Sequence, residues 1–313
     1  MRGDAITALL AQLGAVGGVA VGTRAAHGLV PGGAVLLGRG LYADAWDLGG
    51  EVLKIFRFDS AGLSVFQRMR DEIGTIIAME ATGISPMPRL LGHGVLAEAG
   101  ADGSLCGWAL LERAAGAPLS LAEIVALPGA ALEAWKNALV DQAVALEACL
   151  DAAVPLACWE ESYAGIRLRR LDELARDGRV GAADAALARE LAGWIGEHAR
   201  GSRFVHGDFN PPNIVYWAGR LVVIDPFVTR DPPEANWRHF TLVPGLAEDL
   251  AARYAARTGY VADGRMIAAV GAMTHLYTAL VSRDTSVMRV RRDGLARCLS
   301  ELGMARGDPG VSG

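Results

Sequence analysis

The chain has 313 residues, 52% hydrophobic and 21% charged, with a formal net charge of -5. That length allows one large domain or two lobes with a sizeable core, and the apolar content excludes a mostly disordered chain. A mildly acidic balance argues against nucleic acid or an anionic membrane as the main partner, since both demand a basic surface.

Four widely spaced cysteines (Cys106, Cys149, Cys158 and Cys298) offer neither a disulfide scaffold nor a C-x-x-C zinc pattern. They read as reduced thiols of a cytoplasmic protein. Residues 5–23 carry no charge, but four glycines and Gln12 interrupt the run. A helix over 6–13 closed by Gly14 is therefore expected there, rather than a signal peptide or membrane span.

Strands come next. Ala34-Val-Leu-Leu-Gly38 is a short apolar run, and 41–48 follows it. Gly49-Gly50 predicts a two-residue type I′ hairpin with positive φ at both glycines, and Glu51-Val-Leu-Lys-Ile-Phe-Arg57 is the return strand. Val65, Phe66, Met69, Ile73, Ile76, Ile77 and Met79 then recur at helical steps, stopping at Gly83 before Pro86 and Pro88. Residues 89–96 and 107–112 read as two further strands.

Beyond Pro118 the pattern turns helical, over 119–150, 160–177 and 182–200, with breaks at Pro128-Gly129, Pro155 and Gly178. Arg203-Phe-Val-His206, Ile214-Val-Tyr-Trp217 and Leu221-Val-Val-Ile-Asp225 form a strand–loop–strand unit inside it. Residues 246–304 are helical again, and 306–313 read as a frayed tail. The expected architecture is α+β and bilobal, with a sheet lobe over 1–113 and a mainly helical lobe over 114–313.

The segment richest in chemistry is His206-Gly-Asp-Phe-Asn-Pro-Pro-Asn213, followed one strand pair later by Ile224-Asp225-Pro-Phe227. Phosphoryl transfer needs a hydroxyl held in line with the γ-phosphate, and a cation to neutralise the phosphate oxygens. Asp208, in a turn after a buried strand, suits the role of hydroxyl acceptor or general base. Asn213 offers a neutral carbonyl oxygen to a hard cation, and Asp225 returns to the same point with an anionic one. Pro211 and Pro212 stiffen the loop between them. Taken singly, Asp208 and Asn213 are ordinary turn residues and Asp225 an ordinary strand end. The ordered combination is what points to chemistry.

These motifs resemble those of the aminoglycoside phosphotransferase and choline kinase group of small-molecule kinases, which share the protein-kinase fold. The resemblance spans about 38–227. It implies ATP or GTP as phosphoryl donor and magnesium held by Asn213 and Asp225. Lys54 takes the position of the third-strand lysine that reaches the α- and β-phosphates, and Glu72, on the following helix, that of its ion-pair partner. Glu80 is the competing partner, and Asp71 faces away from Glu72. The other reading of Lys54 is an edge-strand lysine, and Lys136, the chain's other lysine, reads as a helix-surface residue. Gly38-Arg39-Gly40 matches the phosphate-covering glycine loop by position only. Leu110-Leu-Glu-Arg-Ala114 matches the hinge, where the carbonyl of Glu112 and the amide of Ala114 would pair with the adenine. His206 is implied to anchor the loop.

Gly207 and Asn210 depart from the protein-kinase pattern, and Asp225-Pro226-Phe227 replaces D-F-G with no A-P-E segment after it. The implied acceptor is therefore a small hydroxylated molecule, with an aminoglycoside-type or other antibiotic as the leading expectation. A metabolic kinase of the choline, fructosamine or homoserine type is the alternative, and a catalytically silent nucleotide-binding protein the competitor from another class. Asp231 and Glu234 are candidate contacts for acceptor ammonium groups or ordinary loop charges. Arg167, Arg169 and Arg170 are a solvated helix face or an anion site, which would argue against an aminoglycoside.

Overall fold

The computed structural model describes residues 33–39, 43–57, 62–82, 87–97, 105–114, 116–152, 162–217, 220–282 and 284–304. The expected helix over 6–13, Gly40, Cys158 and the tail lie outside them. The chain divides into two compact units, one of Met1–Pro118, Cys149–Leu156 and Val215–Phe227, the other of Leu119–Ala148, Ala157–Ile214 and Val228–Gly313.

The first unit carries a five-stranded antiparallel sheet. Its strands are β1 (Val35–Arg39), β2 (Ala43–Asp47), β3 (Glu51–Arg57), β4 (Leu90–Ala97) and β5 (Leu105–Glu112), in the order β1-β2-β3-β5-β4. Alternation along β3 puts Leu53 and Ile55 on one face, where they pack with Trp108, Trp46, Leu48 and Leu110. Lys54 and Phe56 take the other face, the side of helix α1 (Gly62–Ala81), which buries Met69, Ile73, Ile76 and Met79. Glu80, near the end of α1, accepts the Leu90 amide at 2.7 Å and so fixes the start of β4.

One detail differs from the sequence reading. Leu48 donates its amide to the Glu51 carbonyl at 2.9 Å, and only Gly49 of the glycine pair has positive φ, at 100°. The turn is therefore of the II′ kind, in which only the first central residue is left-handed. The Asp47 carboxylate receives the Gly49 amide at 2.8 Å and helps select that geometry. Gly38, read both as the end of the first strand and as the start of the glycine loop, is paired within β1 opposite Ala45, beside a register irregularity.

A hairpin of β6's successor strands completes this unit, formed by β7 (Ile214–Trp217) and β8 (Arg220–Val223) after the short β6 (Arg203–Val205). Pro118 bridges Val215. A Cβ on nearby Gly116 would fall 1.8 Å from the Tyr216 carbonyl oxygen, so no other residue fits there without backbone movement.

The second unit is mainly helical, with α2 (Leu121–Val125), α3 (Gly129–Ala152), α4 (Tyr163–Arg176), α5 (Ala182–His198), α6 (Leu246–Thr258), α7 (Gly264–Val281) and α8 (Thr285–Leu302). Ser120 and Glu123 cap α2 reciprocally, the device that starts a helix this short. The helical pattern over 246–304 is three helices. Gly259 ends α6 at φ 71°, and the Asp263 and Asp284 side chains cap α7 and α8. Buried residues cover nearly every face of α7, which packs against α4, α5, α6 and α8. A strand absent from the sequence reading, β9 (Thr229–Asp231), pairs antiparallel with β6. Among the described residues, no helix is long and apolar enough to cross a membrane.

Candidate active site

In the first unit, Lys54 is the centre of a buried charge cluster. Its Nζ lies 2.5 Å from Glu72 Oε1 and 2.6 Å from Asp225 Oδ1. Burial alone would strip the ammonium of its proton, but Asp225 and then Glu72 outweigh it and hold the lysine above its ordinary value. Glu80 is spent on the Leu90 amide and Asp71 lies beside Arg70, so neither competes for Lys54. Asp225 follows β8 with φ 57°, the one described non-glycine residue in the left-handed region. Asp tolerates that region better than most residues, and the turn brings its carboxylate to Lys54.

In the second unit, the loop after β6 is wrapped around Asp208. Asn213 donates its side-chain amide to both the carbonyl oxygen and Oδ2 of Asp208, at 3.0 and 2.9 Å. Asn210 donates to Oδ1 at 2.9 Å. The pair of prolines sits in a 3-10 turn, Pro211–Asn213, that sets this spacing. His206 is wholly buried, receives the Asp208 amide on Nδ1 at 3.3 Å, and gives its own amide to Asn236 at 3.2 Å. It packs on Phe209 as a loop anchor.

Two residues that the sequence reading missed complete this loop. Arg238 is fully buried, and its guanidinium donates to the carbonyls of Gly207 and Ala235. It thereby clamps the turn that Gly207 makes at φ 71°. His239 Nε2 lies 3.4 Å from Asp208 Oδ1. Burial pushes the His239 imidazole down to about 4, so at neutral pH it is an uncharged neighbour of the carboxylate. Burial also works against the charge on Asp208, but the His239 contact, then Arg238 and His206, hold it well below the usual carboxylate range. Asp208 is therefore ionised at neutral pH.

Asp231 and Glu234 are not solvated loop charges. Asp231 is buried and receives the Tyr163 amide at 2.8 Å, which starts α4. Glu234 receives the Asp263 amide at 2.8 Å and the Tyr260 hydroxyl at 3.1 Å. Burial holds both carboxyls above their usual range. The arginine trio on α4 also divides. Arg170 pairs with Glu173 at 2.8 Å, and Arg169 lines a hollow of about 840 Å³ between α4 and α5. Only Arg167 turns inward, its guanidinium 4.7 Å from the Tyr163 ring centroid and 4.2 Å from that of Tyr277.

The oxygen donors suit a hard cation. In the second unit, Asn213 has its amide nitrogen committed to Asp208 and its carbonyl oxygen to offer; in the first, the Asp225 side chain is 46% exposed. No group of three or more His, Cys, Asp or Glu among the described residues is arranged to hold a metal. At the expected hinge, Glu112 closes β5 with its amide bonded to the Arg89 carbonyl at 2.9 Å, and Ala114 lies two residues on, past the end of the strand.

The sheet with its single inserted helix, the helical unit and the two clusters define an α+β fold of the protein-kinase-like kind. The chain belongs to the phosphotransferase enzyme family (APH), whose model matches residues 35–227. It is a phosphotransferase that acts on an alcohol group. Its fold is similar to that of wild-type aminoglycoside 2′-phosphotransferase-IIIa in a GDP complex, with TM-score 0.58 and 16% identity, covering 86% of this chain and 92% of that one. A choline/ethanolamine kinase family protein from Mesorhizobium loti matches with TM-score 0.56 and 15% identity over 97% of each chain. A thermostable mutant of aminoglycoside phosphotransferase APH(4)-Ia, in a ternary complex with AMP-PNP and hygromycin B, matches with TM-score 0.54 and 17% identity, covering 88% of this chain and 95% of that one. No curated protein matches the chain in sequence.

Proposed function

We propose that this enzyme moves the γ-phosphate of ATP or GTP to the hydroxyl of a small molecule, with residues 1–113 serving the nucleotide and 114–313 the acceptor. The observation that carries the reading is Lys54, buried and held at 2.5 Å by Glu72. A cation so fixed keeps its position when phosphate oxygens approach, which supplies electrostatic stabilisation without reorganisation. The backbone at Gly38, near the end of β1, serves the phosphates, and the Glu112 carbonyl and Ala114 amide receive the base.

Asp208 takes the hydrogen bond of the acceptor hydroxyl. Its low proton affinity means that it orients the hydroxyl first and takes the proton late, as the bond to phosphorus forms. Asn210 and Asn213 fix the carboxylate's two oxygens, and Arg238 fixes the backbone beneath it. Magnesium, held by Asn213 and Asp225, supplies charge neutralisation at the phosphate oxygens when bound.

Aminoglycoside-type antibiotics are supported as acceptors by the solved neighbours, one of which holds hygromycin B. The second reading, a metabolic alcohol kinase, is supported by the fold match to a choline/ethanolamine kinase family protein. The decisive experiment is phosphoryl transfer from magnesium–ATP and magnesium–GTP across aminoglycosides, other hydroxylated antibiotics, amino alcohols and sugars. Transfer should vanish in excess chelator. Full turnover under chelation overturns the metal assignment.

A further inference from the structure

Arg238 and His239 are consecutive, and both side chains bear on the Asp208 loop. Arg238 clamps the Gly207 carbonyl, and His239 Nε2 lies 3.4 Å from Asp208 Oδ1. A shift of the main chain at 238–239 therefore moves both supports of the carboxylate together. That main chain is fixed in turn by Thr241, in the 3-10 turn Phe240–Leu242, whose hydroxyl donates to the Arg238 carbonyl at 2.7 Å. The Thr241 carbonyl accepts from the Arg297 guanidinium of α8.

The Thr241 hydroxyl has one proton, and the Arg238 carbonyl takes it. Its 2.9 Å contact with His275 Nε2, on α7, therefore draws its proton from the imidazole. The other ring nitrogen, Nδ1, then carries no proton and accepts from Arg291 of α8 at 3.2 Å, since a guanidinium can only donate. The donors run one way, from Arg291 to His275 to Thr241 to the Arg238 carbonyl. His275 and Thr241 are buried, and burial keeps the imidazole uncharged, as this order requires.

Both helices are bare where the chain of donors passes. A Cβ on Gly294 of α8 would fall 2.9 Å from the His275 ring, and one on Gly271 of α7 would fall 2.9 Å from the Thr241 hydroxyl. Glycine inside a helix is destabilising relative to alanine. Yet neither position admits a methyl group without displacing a member of the chain. Buried polar networks that are fully satisfied in this way specify one geometry.

We propose that His275 and Thr241 are positioning residues for phosphoryl transfer, which through the Arg238 carbonyl set where Arg238 and His239 hold Asp208. This rests on the role given to Asp208 above and extends the apparatus behind it into α7 and α8. The two residues act through Arg238 rather than on the reactants. Changes in them therefore fall on kcat, and not on the nucleotide KM assigned to Lys54.

Thr241→Val keeps the shape of the side chain and removes its hydroxyl. With magnesium–ATP as donor and water or glycerol as acceptor, kcat of the full-length variant should fall about tenfold while nucleotide KM stays within twofold. Thr241→Ser, which restores the hydroxyl, should recover most of that loss, and His275→Leu should show the same split as Thr241→Val. Added to Arg238→Lys, Thr241→Val should cost no further kcat, because both act through one clamp. Hydrogen exchange of the 206–213 amides needs no acceptor and should quicken at least about fivefold in Thr241→Val. Arg291 is only partly buried, so Arg291→Met serves if Thr241→Val does not fold, with the same exchange signature and a kcat loss of about threefold. Unchanged exchange at 206–213 overturns the proposal whether or not either acceptor turns over. A kcat loss that persists in Thr241→Ser, or that adds fully to that of Arg238→Lys, overturns it as well and reduces the chain to packing. Collapse of turnover in Asp208→Asn with full kcat in Thr241→Val removes this proposal alone, whereas normal turnover in Asp208→Asn removes the reading of Asp208 on which it rests.

Discussion

Lys54 and Asp225, 171 residues apart in sequence, close an ion pair at 2.6 Å, while Glu72 holds the same ammonium from α1 at 2.5 Å. One cation thus answers two carboxylates of different character. Glu72 is almost wholly buried and has no solvent to fall back on, whereas the Asp225 side chain is 46% exposed. Glu72 is therefore the fixed strut and Asp225 the partner able to exchange Lys54 for another cation.

Lys54→Ala should raise nucleotide KM about 10- to 100-fold through lost charged contacts, and should destabilise the protein by about 3–5 kcal/mol by leaving Glu72 buried and unpaired. Steady-state kinetics and urea unfolding read the two effects separately. Adding Glu72→Gln to Lys54→Ala should recover much of the stability and none of the kinetics. Lys136 is more engaged than a helix-surface lysine, with Asp249 at 2.7 Å and Glu133 at 3.0 Å. Its removal should still cost no more than about 1 kcal/mol, as for exposed ion pairs, and leave turnover unchanged. Equal kinetic losses at the two lysines would overturn the role given to Lys54.

Buried neutral histidines make stability depend on pH. His239 and His275 are pushed by burial to about 4 and about 3, below the 6.5 of a free imidazole. Below pH 6.5 the unfolded chain binds protons that the folded chain refuses, so stability falls as pH falls. The slope is about 1.4 kcal/mol per pH unit for each histidine once its unfolded form is protonated. Asp231 and Glu234, raised by burial, act in the opposite sense nearer the carboxylate range. Thermal unfolding should therefore show a loss of Tm between pH 6.5 and 5, and a smaller loss in His239→Gln. An unchanged pH slope in that variant would show that His239 is charged in the folded protein.

Arg238 supports the Asp208 loop from below rather than touching reactants. Arg238→Lys keeps the charge but cannot span the Gly207 and Ala235 carbonyls with one planar fork. Its kcat should fall about tenfold or more with nucleotide KM little changed, since a displaced catalytic group loses its productive geometry. Full kcat in Arg238→Lys would reduce Arg238 to packing.

What could be read in the sequence follows physical locality. Periodicity gave β3 and α1, which carry Lys54 and Glu72, but their pairing was read from the resemblance to small-molecule kinases, and Asp208, Asn213 and Asp225 stood out as candidates because an ordered motif holds them within a short span. The II′ turn at Gly49 was not legible, since the Asp47 side chain, and not the glycines alone, selects it. Arg238 was hidden for a different reason. An arginine amid Asn236-Trp237-Arg238-His239 has no periodicity, and burying one is so costly that only its backbone-carbonyl partners, set by tertiary structure, reveal it. The signal was the cluster of aromatic and polar residues in a loop with few glycines. Asp231 and Glu234 misled because both cap or tie backbone amides that only the fold brings to them.

Asp208→Asn separates chemistry from binding. The carboxylate now accepts from Asn210 on one oxygen and Asn213 on the other. An amide in its place presents an N–H2 group to one of those donors, so a local hydrogen bond is lost, at a cost of about 1–2 kcal/mol in stability. Folding should survive that loss, and Arg238 and His206 still hold the loop. The proton acceptor is gone, however, and general-base loss typically lowers the rate by about 10²- to 10⁴-fold. Lys54, Glu72 and Asp225 are untouched, so a calorimetric titration with magnesium–nucleotide should look near normal while transfer collapses. Transfer within a few-fold of wild type would make Asp208 only a turn residue held by two asparagines, and the mechanism argued from it would fall.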